Sequence, residues 1–211
     1  MFSYSVQHWA TFLAAAFLLN MSPGPDMAYI LANTVRGGRR SGFAAMLGIW
    51  TGAMGHVAFA AVGLSALLVA SATAFSVVKY AGAAYLAWLG IQALRSRGAF
   101  SLEEAGPSRA TTSGIFAHGM LVNLLNPKVA IFFLAFLPQF VVPGAGPVSA
   151  QLALHGVLLI ASSVFVEPPL VLLGDRISNG LRGNVRFRQW LDRGLGAFLI
   201  LIGLRLAVSE R

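Results

Sequence analysis

The sequence predicts an all-α integral membrane protein, six transmembrane helices arranged as two inverted three-helix repeats with the first and fourth helices broken. Three observations carry that expectation. The 211 residues are 57% hydrophobic and only 10% charged, with a mean hydropathy of +0.74, too apolar for a water-soluble domain. Apolar runs recur six times, each long enough to cross a hydrocarbon core of about 30 Å at about 1.5 Å per residue. Two of the runs are interrupted by proline-centred segments that each carry one charge, SPGPD from Ser22 to Asp26 and NPK from Asn126 to Lys128. Proline lacks the backbone donor and clashes with the preceding turn, so these segments break a helix rather than bend it. In hydrocarbon, an interrupted backbone is tolerated only where it is buried in protein or lines a wet cavity.

In chain order the runs span about residues 7–35, 41–70, 73–94, 114–142, 149–173 and 190–208. The last is the weakest, because Arg193 and Arg205 bracket its apolar centre and must snorkel to opposite interfaces. Arg36, Arg39 and Arg40 follow the first run; Arg95, Arg97 and Arg109 the third; Arg176, Arg182, Arg186, Arg188 and Arg193 the fifth. The intervening loops offer only Lys79 and the uncharged VVPGAGPVSA. The positive-inside rule then makes the basic loops cytoplasmic and both termini periplasmic. The same distribution explains the net charge of +8 without nucleic acid, since the arginines sit between apolar runs and not on one basic face. Tyr4, Trp9 and Trp190 fall near run ends, where interfacial aromatics are expected. Met1 to His8 has no Lys or Arg, so a cleaved signal peptide is not expected. With no cysteine there is no disulfide framework or thiolate metal site, and no cofactor is expected.

The hydrophilic stretch at about 96–113 reads as a cytoplasmic linker joining repeat 1, about 1–95, to repeat 2, about 114–211, within one transporter domain. Aligning Pro25 with Pro127 aligns Asp26 with Lys128, and GAAYLAWLG (Gly82 to Gly90) echoes GAFLILIG (Gly196 to Gly203). Three spans per half is odd, so the halves enter the membrane from opposite sides, and paired breaks in such repeats point to a transporter's binding site.

Counting residues from the basic loops puts Asp26 and Lys128 each roughly 15 Å into the membrane, where the two charges can meet. A lone charge there costs at least about 2.5–3.5 kcal/mol. Asp26 opens a half-helix whose dipole favours a carboxylate; Lys128 holds the matching place, where the dipole disfavours an ammonium and an anion is needed. That anion is either Asp26, in a permanent pair pinning the halves together, or a substrate carboxylate. Asn20, Ser22, Asn123 and Asn126 cluster at the breaks, either to bind a substrate amino group or to cap the broken helices. Glu167, before Pro168 and Pro169, is a candidate proton carrier; the alternative is a carboxylate near the cytoplasmic end, bridged to an arginine. Among His56, His118 and His155, His56 is the deepest and the candidate proton relay. His56, Asp26 and Glu167 show no metal-ligand spacing. Gly48, Gly52 and Gly55 give the second run a small-residue packing face, and Phe132, Phe133, Phe136 and Phe140 read as lipid-facing or core.

SPGPDMAYILANTVRGGRRSGFAAMLGIWTGAMGHVAFAAVGLSALL, YAGAAYLAWLGIQALRS and GMLVNLLNPKVAIFFLAFLPQFV together resemble the LysE/RhtB family of bacterial amino-acid exporters over nearly the whole chain. The resemblance rests on Pro23, Gly24, Pro25, Asp26, Asn126, Pro127 and Lys128, and does not extend to the Glu167 segment. It implies a six-helix inner-membrane carrier that expels amino acids or related metabolites, driven by the proton-motive force, and it admits a homodimer. The expected partners are thus an amino-acid substrate and the lipid bilayer. The competing readings are an exporter of metal cations or another small solute, loaded by acids and not Lys128, and a membrane enzyme or structural subunit, for which no nucleophile or nucleotide loop speaks.

Overall fold

A computed structural model describes residues 4–21, 24–66, 72–95, 111–174 and 185–208, and every regular element among them is helical. Helix α1, Val6–Asn20, starts where the Ser5 hydroxyl accepts the backbone N–H of His8, a Ser cap on an orphan donor. Helix α2, Pro25–Phe59, carries proline in its first turn and contains a corner at Gly38 with φ 70° and ψ −173°. Only glycine reaches that region readily, so the Gly37–Gly38 pair divides α2 into a short arm, residues 25–37, and a long arm, residues 39–59. The long arm ends in a π turn, Ala60–Leu64. Next come α3, Ala72–Arg95, and α4, Thr112–Leu124, which Thr111 caps. Helix α5, Pro127–Phe136, runs into a 3-10 turn, Leu137–Phe140. Helix α6, Val148–Ser162, is followed by a 3-10 turn, Ser163–Phe165, and the short α7, Glu167–Leu172. The last is α8, Val185–Val208.

The described parts of the six apolar runs are therefore mainly helical, and the first and fourth are broken. By length and hydropathy, Pro25–Leu64 and Val148–Leu172 suffice to cross a membrane, as does the pair Thr112–Leu124 and Pro127–Phe140 if its 52° bend lies within one span. Helices α3 and α8 have 24 residues each, a rise of about 36 Å. Residues 67–70, Asp175, Arg176, Arg182 and the linker with Arg97 and Arg109 lie outside the described residues.

The long arm of α2 packs along α4 almost backbone to backbone. A Cβ on Gly48 would lie 2.2 Å from the Phe116 carbonyl oxygen, one on Gly52 2.6 Å from that of Met120, and one on Gly119 2.8 Å from that of Ala45. The glycine face of the second run is thus the α4 contact. Helices α3 and α8 meet in the same manner: a Cβ on Gly90 or Gly196 would stand 2.6 Å from the other's carbonyl oxygen, so the two echoing segments lie against each other. Helix α1 packs on α6. One apolar cluster, including Phe12, Phe132, Phe136, Phe140, Leu152 and Leu159, joins α1, α5 and α6; a second, including Ile30, Ala45, Ile49, Ile115 and Val171, joins α2, α4 and α7. The four phenylalanines are core, each at most 5% exposed. Trp190 is exposed, whereas the half-buried Tyr4 and Trp9 pack their rings on His155.

Candidate functional site

The two breaks meet. Asn126, the residue before a proline, is held out of the helical region, with φ −76° and ψ 105°; α4 ends there and α5 restarts. Its Oδ1 accepts the Lys128 backbone N–H at 3.0 Å, capping α5, while its Nδ2 donates to Asp26 Oδ1 at 3.2 Å. Asn123, in the last turn of α4, donates its Nδ2 to Asp26 Oδ2 at 2.9 Å. Both carboxylate oxygens of the first break are therefore held by amides of the second. Pro25 occupies the first turn of α2 after an extended Gly24, so Asp26 also faces the positive end of that helix.

Asp26, Asn123, Asn126 and Lys128 line one cavity of about 90 Å³, with Asn20, Gly24, Trp50, Ser163 and Glu167 among its other walls. Lys128 and His56 are near enough to Asp26 to act on its charge, and Asp26 acts likewise on Glu167. Apolar walls come from Ile49, Val129, Phe133 and Leu159. Chemically the cavity offers a carboxylate, an ammonium, a second carboxyl group and amide donors within one small space, the complement of a solute bearing both charges.

The other predicted positions fall as follows. Asn20 does line the cavity, yet its amide donates to Leu159 O at 3.2 Å and Ser162 Oγ at 2.8 Å, tying α1 to α6. Pro25 and Pro127 are exposed and act by starting helices; Ser22 and Pro23 lie outside the described residues. The partner of Glu167 is Trp50, whose indole N–H donates to Oε2 at 2.5 Å, and the carboxyl group faces the cavity, in place of the arginine bridge kept as the alternative. His56 stands beside the site with Nε2 3.1 Å from the Asn123 carbonyl and is half-buried, whereas His155, at 1% exposed, is the most buried of the histidines. His118 is exposed and packs on the Tyr29 ring.

Trp50 escaped notice within the glycine stripe Gly48 to Gly52. Its signal was that an indole N–H in the middle of a span needs a partner. Ser163 carried none, because it enters the cavity through the 3-10 turn that follows α6.

A model of the LysE type translocator family matches residues 17–210. The chain is 34% identical to the "Homoserine/homoserine lactone efflux protein" of Salmonella typhi, over 96% of this chain and 97% of that protein. It is also similar to an uncharacterised membrane protein of Pseudomonas aeruginosa, at 32% identity over 95% of this chain and 94% of the relative. A third relative, from Bacillus subtilis, is 28% identical over 94% and 97% of the two chains. No solved structure matches. With a family model covering nearly the whole chain and efflux proteins among its relatives, the chain belongs to the LysE type translocators, membrane exporters of small metabolites and not enzymes.

Proposed function

We propose that the chain is a proton-coupled secondary exporter of amino acids or closely related metabolites, homoserine-like solutes included, across the bacterial inner membrane by alternating access. The observation that carries this reading is the Asn123–Asp26–Asn126 clasp on the wall of a cavity shared with Lys128 and Glu167. In this scheme the substrate carboxylate binds Lys128 and the amides of the α5 N-terminus, its amine approaches Asp26, and Asp26 or Glu167 exchanges the proton. Asn123 Oδ1 supports the part given to Asp26: it is buried and has no hydrogen-bond partner among the described residues. Turning the amide over would present that oxygen to Asp26, which only a protonated carboxyl group can satisfy.

The six-span topology with periplasmic termini, and the repeats at about 1–95 and 114–211 joined by the cytoplasmic linker, belong to the same proposal. Helix pairing supports it. The long arm of α2 packs on α4 as α6 packs on α1, and these are corresponding pairs if the chain repeats; α3 against α8 is its own counterpart. The mobile boundary then runs between halves that share the central cavity.

The test is Lys128→Ala in proteoliposomes loaded with homoserine. Losing a charge-assisted hydrogen bond of about 1.5–3 kcal/mol lowers export by about ten- to more than a hundredfold. Export at the parental rate would overturn the carboxylate-anchor assignment.

A further inference from the structure

Far from the central cavity, on the opposite part of α1, a second group of titratable side chains is built into the protein. His8 Nε2 lies 2.8 Å from His155 Nε2, joining the first turn of α1 to the middle of α6. His155 Nδ1 is 2.8 Å from the Gln151 carbonyl oxygen. A carbonyl only accepts, so this Nδ1 carries the proton, and a neutral His155 presents its Nε2 as an acceptor. His8 must then donate through Nε2.

The surroundings fix both rings. Tyr4 stacks on His8 with centroids 4.5 Å apart, and Trp9 stacks on His155 at 5.4 Å. Phe12 and Phe140 close the sides. Gln151 is saturated: Oε1 accepts from Val142 N and Tyr4 Oη, and Nε2 donates to the Val142 and Gly146 carbonyls. Among the described residues, the groups hydrogen-bonded to the pair or in ring contact with it are Tyr4, Trp9, Phe12, Phe140 and Gln151. Of these only Tyr4 titrates, far above neutral pH in its ordinary state. The adjoining loop, residues 141–147, has no charged residue.

We propose that His8 and His155 form a proton-binding latch between α1 and α6, closed when neutral or singly protonated and opened by a second proton. One added proton can be held between the two Nε2 atoms once His8 switches tautomer, and the stacked Tyr4 and Trp9 rings favour the cation. A second proton makes both Nε2 atoms donors facing each other across 2.8 Å. Among the described residues neither has another acceptor, and two like charges meet there in apolar surroundings with no carboxylate contact. Protons enter through His8, which is half-buried, whereas His155 is fully buried. The pair titrates as a unit in two steps. The latch does not require the proposed orientation; if that orientation holds, it faces the periplasm.

The natural chain has no cysteine, so the exposed Val6 and Ser149 can be replaced by Cys and spin-labelled on an otherwise native protein in nanodiscs. Between about pH 8 and about pH 4.5, a range that brackets ordinary histidine titration, the inter-label distance is expected to gain a longer population that reverses on return to high pH. In His8→Gln, whose amide donates to His155 Nε2 and does not titrate, that population is lost. An identical distance distribution at both pH values overturns the latch, and so does an acid response undiminished in His8→Gln. His155→Gln is the harsher change at a buried position; His8→Gln keeps the test decisive if that chain does not fold. Loss of transport is not the readout, so failure of the exporter reading leaves this outcome separate.

Discussion

Two helix seams in the protein are built from different materials. Along the long arm of α2 and α4, glycines at 48, 52 and 119 let the backbones approach until a single added carbon would strike a carbonyl oxygen. Along α1 and α6, the joints are side chains: His8 to His155 at one end, Asn20 to Ser162 and the Leu159 carbonyl at the other, and Phe12 with Leu152 between. Close backbone packing through small residues is a principal adhesive between helices in lipid, where no hydrophobic force drives them together. It leaves no side chain between the backbones to rearrange. Side-chain joints can be undone by a rotamer or a proton and remade, so the α1–α6 seam is the one suited to opening.

The sharpest way to break this contrast is Gly48→Ala. The Phe116 carbonyl cannot yield as a flexible side chain can, so overpacking is expected to cost about 1–3 kcal/mol, read as a lower melting temperature in detergent. Gly55→Ala is its control: the nearest obstacle is the terminal carbon of Leu124 at 2.7 Å, which can swing away, and near-parental stability is expected. Equal losses in the two variants would mean that close backbone approach is not what holds the seam. Asn126 comes next, because its two ends do different work. Asn126→Ala removes both the α5 cap, worth about 0.5–2 kcal/mol, and the donor to Asp26. Asn126→Ser restores a capping oxygen but not the amide. Thermal stability should therefore recover in the serine variant while export stays low; parallel recovery would reduce Asn126 to a cap. The smallest effect is expected from Asn20→Ala, at about 0.5–1.5 kcal/mol, since Ser162 also bonds to the Leu159 carbonyl. If Asn20→Ala proves as damaging as Gly48→Ala, the α1–α6 seam is as rigid as its counterpart.

Much of the site was legible before any coordinates. Proline at Pro25 and Pro127 sets a helix start by its missing donor and fixed φ, properties local to the chain, and Asn126 before Pro127 is a capping residue in a capping place. Asp26 and Lys128 stood out because charge is costly in hydrocarbon. Trp50 and His8 did not, since each acquires its role from a partner more than a hundred residues away, and Ser163 did not because only the 3-10 turn after α6 brings it to the cavity wall. His155 was passed over for a related reason: depth along a span says nothing about which side of the helix is covered, and α1 covers His155 where His56 keeps part of its surface.

Composition, the six apolar runs, the glycine face of the second and the two proline breaks follow from the sequence alone, because helix geometry and the cost of unpaired backbone in lipid act on short stretches of chain. Which faces meet was decided only in three dimensions. No local rule makes Asn123 and Asn126 turn their amides toward Asp26 and not toward water, or seats Trp50 on Glu167. These bonds join the two halves of the chain, and their geometry exists only when α4 has locked into the glycine groove of α2 and carried the second break against the first.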